Sequence, residues 1–387
     1  MRRRDFLVGC SAAAAPFFTP VVMAEGPWEA RIVVIILRGA MDGLDVVRPI
    51  GDPDYGWLRP TLSQQEGEIP LDDFWAMHQA LAPLRPLWDR GQLGFAHAVS
   101  TPYRDRRSHF DGQDMLEAGG NDLVGRPRGG WLNRLVSAVP NATSRTAFAI
   151  GREEMLILDG EAPVSSWSPE AGLSLSPQAR RLLARVYEGD PLFEQASADA
   201  IAIADQVSLG SGESAMVEGV NSGTEHAGLA RFAAERLREE TRIASFSLSG
   251  WDTHNGQSRD MGRALGRLCD TILTLRAELG PLWDKTAVMC LTEFGRTAAE
   301  NGSRGTDHGT GGAMIYAGGA LRGGQVITDW PGLSEADLYA GRDLMPTRDV
   351  RAYAGWMLRQ LTGLPASVIE TTLFPDLDLG ADPKIVL

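Results

Sequence analysis

The chain predicts an α/β fold: a mostly parallel central sheet flanked by helices. Three observations carry that prediction. The run Arg31-Ile-Val-Val-Ile-Ile-Leu37 is apolar at every position after the arginine, as expected of a central parallel strand covered by helices on both faces. Further apolar runs alternate along the chain with helical patterns, the signature of strands joined by helical crossovers. No internal repeat, low-complexity tract or interdomain linker interrupts them, so residues 25–387 read as one domain with an elaborated segment around 150–225.

The elements follow in order. Strand 31–37 exits through Arg38-Gly-Ala-Met-Asp42-Gly43. Residues 51–73 are rich in Pro, Gly and Asp and read as loop. A short helix is expected over 80–89 and a strand over 93–99. Ser108 is placed to cap a helix over 108–118, and 130–139 also reads as helical. Short strands are expected at 146–150 and 155–158, then helices at 177–188 and 196–207. The first of these begins at a proline, where the missing N–H costs nothing. The Gly- and Ser-rich stretch 208–224 reads as a surface loop. Ser222-Gly-Thr-Glu225 has capping-box form before a helix over 226–240. Strand 242–248, a long amphipathic helix over 256–279, and strands 286–291, 313–317 and 325–327 follow, with a closing helix over 348–361.

The first 24 residues have the form of an export signal. Arg3-Arg4-Asp5-Phe6-Leu7 fits the twin-arginine pattern, and Val22-Met23-Ala24 is a small-residue cleavage site. The expected protein is therefore periplasmic or otherwise exported through the twin-arginine machinery. No segment of the remaining chain is apolar long enough to span a bilayer. The formal net charge of −13 argues against nucleic acid as a partner. Of three cysteines, Cys10 leaves with the signal, and Cys269 and Cys290 sit in apolar patterns as small buried hydrophobes. No C-x-x-C is present, which excludes a thiolate metal site.

Polar residues cluster where strands end. Asp42 follows strand 31–37, Asp252 and His254 follow 242–248, and Glu293 follows 286–291, with Asp307 and His308 one loop further on. Parallel strands place their carboxyl ends on one edge, where ligands bind in open α/β sheets. Asp, Glu and His without Cys form the oxygen and nitrogen donor set of Zn, Mn, Mg or Ca. Each residue also has a plain structural reading. Asp42 before Gly43 suits a turn, Asp252 a helix cap, and Glu293 a surface pair with Arg296. Asp307-His308 suits an exposed loop, and Ser108 and His109 a helix start. Arg38, Arg104, Arg106, Arg107 and Arg296 could pair with the acids or hold an anionic group bidentately.

The stretches LRGAMDGLD, RSHFDGQDMLEAG, GWDTHNGQ, LTEFGRT and GTDHGTGG together resemble the domain-of-unknown-function family 1501. That family itself resembles the alkaline phosphatase and sulfatase superfamily. The resemblance implies an alkaline phosphatase-like α/β domain that hydrolyses phosphate or sulfate esters with paired metals and a nucleophile at a helix start. Mapped residue by residue, it implies Asp42, Asp252, His254, Glu293, Asp307 and His308 as the metal ligands. It implies Ser108 as the nearest hydroxyl for the nucleophile; His109 and Arg107 beside it complete the expected catalytic group, and Arg38 and Arg296 are expected toward an anionic ester. One or two divalent ions are expected, Zn on the strength of the His ligands, with Mn, Ca or Mg compatible with the carboxylates. Glu293-Phe294 departs from the superfamily's usual Asp-His, so His109 or Asp307 would have to replace a missing His. The expected function is an exported metal-dependent hydrolase. The alternative is a non-catalytic binding or assembly module that keeps the fold.

Overall fold

A computed structural model describes residues 28–64, 67–151, 155–167 and 225–387. In chain order the strands are β1 (Arg31–Arg38), β2 (Val47–Arg48), β3 (Ile69–Pro70), β4 (Ala76–Met77), β5 (Leu93–Ser100), β6 (Ala147–Ile150), β7 (Ser165–Trp167), β8 (Ile243–Ser249), β9 (Thr286–Leu291), β10 (Gly312–Ala317), β11 (Val326–Ile327) and β12 (Arg348–Asp349). The nine-stranded main sheet has the order β11-β5-β10-β9-β1-β8-β6-β7, with β12 also on β5. β10 runs antiparallel to both β9 and β5, and every other pair in this sheet is parallel. The chain is therefore mixed α/β around a large, mostly parallel sheet.

The double-sided burial expected of β1 is observed. Val33, Ile35 and Leu37 join one core, which takes in the helices Glu225–Leu237 and Gln257–Leu279 through Phe232, Leu265 and Leu268. Ile32, Val34 and Ile36 join a second core on the other face, with Trp131 of helix Trp131–Ala138 and Tyr353 of helix Val350–Thr362. Burying alternate side chains on opposite faces is what the two-residue strand period dictates.

Four local expectations change. Residues 155–158 form no strand: Leu156–Leu158 is a single 3-10 turn, closed by Leu158 N–H to Met155 O and Asp159 N–H to Leu156 O. The helix expected over 80–89 splits into a 3-10 segment Gln79–Leu84 and a short α-helix Arg85–Asp89. Pro83 has no N–H to continue an α-helical ladder. The 51–73 loop contains a short helix, Tyr55–Leu58, and the small strand β3. β7, polar in sequence, was not expected and pairs in parallel with β6. The export signal, the helices at 177–188 and 196–207, the 208–224 loop and most of the elaborated segment lie outside the described residues.

Candidate metal centre

All the expected site residues lie on segments that leave the parallel strands at one edge, or on the loop that returns to β10. The exits of β1 and β8 touch backbone to backbone. Gly39 has φ +122°, and a Cβ there would fall 2.5 Å from Asp252 N, so only glycine fits. Arg296, buried after β9, ties the exits together. Its guanidinium donates to Gly39 O, Ala40 O, Trp251 O, Thr306 O and Asp252 Oδ1, at 2.6–3.1 Å. Each of its three nitrogens donates to an acceptor of the protein itself, so Arg296 holds the edge together.

Over this frame His109, Asp252 and His308 converge, with one ligand atom from each lying within 4.8 Å of the others. His109 Nε2 is 3.5 Å from Asp252 Oδ2, and His308 Nε2 is 3.4 Å from Asp252 Oδ1. His254 joins from the open side, its Nε2 3.1 Å from Asp252 Oδ1 and 3.0 Å from His308 Nε2. Each imidazole has an acceptor behind Nδ1. His109 meets Glu293 Oε1 at 2.8 Å, His254 meets Asp307 Oδ1 at 3.2 Å, and His308 meets the Arg107 carbonyl at 3.0 Å.

A neutral imidazole that donates from Nδ1 presents a lone pair at Nε2. Three such lone pairs then face one carboxylate, a repulsive arrangement that a cation reverses. His109 Nε2 is buried and has no hydrogen-bond partner, which is costly unless something else occupies that direction. Asp252, Glu293 and Asp307 against Arg296 leave two negative charges, the amount one divalent cation neutralises. The donor set of imidazole nitrogens and carboxylate suits Zn and does not exclude Mn. The residues present thus fit one divalent cation.

The two half-buried rings shift in opposite directions. Hydrogen bonding to Glu293 lifts the His109 imidazole above its ordinary value against the effect of burial. Burial, reinforced by His109 and Arg296, lowers His308 and keeps its lone pair available. Burial works to raise Asp252, but the Arg296 hydrogen bond and charge together with His254 and His109 outweigh it, so the carboxyl sits below its usual range. Asp307 is also lowered, first by a hydrogen bond from Asn301.

Other expected residues take different places. Asp42 is buried and caps the helical turn Gly43–Val46 through Leu44 N–H. Arg59 grips its carboxylate bidentately at 2.7 and 3.1 Å, and Gln257 Nε2 donates at 2.6 Å. No lone pair of Asp42 is left facing the centre. Glu293 stands behind His109 and Asp307 behind His254, rather than within the triad. Phe294 stacks on His109, with centroids 5.2 Å apart, and on Tyr103 at 5.7 Å, forming an apolar floor. Ser108 is the N-cap of helix His109–Ala118, its hydroxyl accepting from Asp111 N–H at 3.3 Å. Arg107 contributes its carbonyl to His308 while its side chain is exposed. Arg38 pairs with Glu117 at 2.8 Å and donates to Gln113 Oε1 at 2.7 Å.

Sequence reasoning did not single out Gln257, Arg59 or Gln113. Gln257 and Arg59 are fully buried, yet Gln257 sits in sequence among polar neighbours, Arg59 lies in a stretch read as loop, and no motif marks either. No curated protein matches the chain. Residues 95–373, which include the whole converging triad, match the family described as protein of unknown function (DUF1501), and the chain belongs to that family.

Proposed function

We propose that this protein is an exported, metal-dependent hydrolase of phosphate or sulfate esters, with an alkaline phosphatase-like fold and one divalent cation held by His109, Asp252 and His308. The observation that carries this reading is the convergence of two backed imidazoles and a carboxylate beside an open rim. A bound cation supplies Lewis acidity toward an ester oxygen and lowers the pKa of bound water. Asp252 and the two imidazoles fix the reacting centre against the sheet edge. Phe294 excludes water from beneath it. His254, half exposed and backed by Asp307, takes a proton from the attacking water and returns it to the leaving group. Arg107, exposed at the rim, offers a guanidinium to the non-bridging oxygens.

A single cation is favoured over the pair that the superfamily resemblance implies, because Asp42 and Glu293 are already satisfied by the protein's own donors. The non-catalytic reading has one observation in its favour: the Ser108 hydroxyl is engaged as the helix cap.

Elemental analysis of the folded protein tests the proposal first. About one equivalent of divalent metal is expected in the wild type, with loss in His308→Ala. Asp42→Asn, which keeps an acceptor for Arg59, should retain the metal. His254→Gln should keep the metal and lower ester turnover by about 10²–10⁴-fold. A metal-free wild type purified from metal-replete medium would overturn the reading. Metal without turnover across phosphate and sulfate esters would favour the binding module.

A further inference from the structure

Glu293 is held by the protein's own donors at both carboxylate oxygens. It is fully buried. Its Oε1 accepts from Gly39 N–H at 2.9 Å, from Gln113 Nε2 at 3.1 Å and from His109 Nδ1 at 2.8 Å. Its Oε2 accepts from the Thr292 hydroxyl at 3.0 Å. The Gln113 amide cannot be turned round, because its oxygen accepts from the Arg38 guanidinium, itself paired with Glu117. Arg38 therefore fixes Gln113, Gln113 and Gly39 fix Glu293, and Glu293 faces one ring nitrogen.

From this geometry we infer that Glu293 is a positioning residue: it holds His109 as the Nδ1–H tautomer and strengthens the Nε2 lone pair that a divalent cation takes. The inference rests on the metal reading above but not on any hydrolytic activity. The physical reason is that an oxygen already accepting from Gly39 and Gln113 can only accept from the imidazole, so the ring must donate from Nδ1. A negative charge behind a ligating imidazole raises its basicity, and loss of such a partner typically costs about 10–100-fold in metal affinity. Glu293 thus acts through His109, outside the donor set, in contrast to the ligand role the superfamily resemblance implies for it.

Glu293→Gln separates the charge from the geometry. An amide oxygen can keep the place of Oε1. The amide nitrogen can donate to Thr292 Oγ1 once that hydroxyl turns its one proton from Oε2 to Leu37 O, 2.9 Å away. The experiment uses the full mature chain, stripped of metal and labelled with ¹⁵N-histidine, with His109→Gln to assign the ring. Nitrogen NMR reads the tautomer in the metal-free protein, and Co²⁺ titration followed by visible absorption reads the affinity of the same samples. The expected result is an Nδ1–H ring at His109 in both wild type and Glu293→Gln, with Co²⁺ affinity about 10–100-fold weaker in the variant. Gln113→Ala, nearer the surface, keeps the variant series readable should Glu293→Gln fold poorly. It should keep the tautomer and weaken Co²⁺ by a smaller factor.

An Nε2–H ring in the wild type, or Co²⁺ affinity in Glu293→Gln within a factor of about two of wild type, overturns the inference. A wild type that takes up no Co²⁺ overturns it together with the metal reading. Tight Co²⁺ binding with the expected loss in the variant upholds it even if no ester is turned over.

Discussion

Single residues here divide into those that face the centre and those that hold it. Asp42 looks in sequence like the first ligand, since an acid just past a central parallel strand is where ligands collect. The fold gives it to Arg59 instead, and burial makes that pair mutually obligatory: removing one partner of a buried ion pair typically costs about 3–5 kcal/mol. His97 shows the same division at a histidine. It is buried in β5, with Nε2 3.2 Å from both Gly43 O and Val47 O, and Nδ1 accepting from Ala98 N–H. Burial pushes its pKa down to about 4. In the unfolded chain the ring returns to its ordinary value near 6.5, so between these values the unfolded chain binds more protons. The stabilisation is complete above about pH 6.5 and is lost as the pH falls toward 4, by on the order of 3 kcal/mol. Urea unfolding at pH 7 and pH 4.5 should show a steeper loss in the wild type than in His97→Asn. Equal losses in the two proteins would show that the ring does not carry this acid sensitivity.

At the scale of elements, the candidate centre is an alignment of loops, and Gln257 aligns them. It is the first residue of helix Gln257–Leu279 and is fully buried. Its amide nitrogen donates to Asp42 and Asp45, at 2.6 and 2.9 Å. Its amide oxygen accepts from the hydroxyls of Thr253 and Thr306, at 2.9 and 2.7 Å. Thr253 lies between Asp252 and His254, and Thr306 directly precedes Asp307 and His308. One side chain thus registers the Asp252–His254 and Asp307–His308 loops against the exit of β1. Gln257→Leu removes one donor each from Asp42 and Asp45, which keep Arg59 and Arg48, and takes the acceptor from the Thr253 and Thr306 hydroxyls; each unsatisfied group costs about 1–3 kcal/mol before relaxation. The expected net loss is about 2–4 kcal/mol in denaturant unfolding, together with weaker metal uptake. Unchanged stability with intact metal uptake would mean that the loops are registered by Arg296 alone.

For the whole molecule, the acidic composition, the parallel sheet and the single edge of convergence describe a scaffold that gathers distant segments at one place. Among the described residues no helix is long and apolar enough to cross a membrane. The export reading rests on Arg3 and Arg4 in sequence. Replacing both with lysine should leave the chain in the cytoplasm, as cell fractionation would read. Unaltered export would remove the twin-arginine proposal without touching the centre.

How much of this was legible follows from what each feature depends on. β1 was legible because burial on both faces leaves an unbroken apolar run. The sharing of one edge by Asp252, His254 and Glu293 followed from the parallel arrangement, whereas His308 joins them because its loop returns into the antiparallel β10 at the same edge. The 3-10 turn at Leu156–Leu158 was not legible, since four apolar residues satisfy either conformation and only a partner strand would decide. The sequence by itself determined the α/β class, the edge at which chemistry is placed and the residue types gathered there, because periodicity and strand direction are local properties. Only the tertiary structure decided the role of each acid. Whether a carboxylate faces the open centre, as Asp252 does, or is closed off by Arg59 or set behind His109, as Asp42 and Glu293 are, depends on donors contributed by segments distant in sequence.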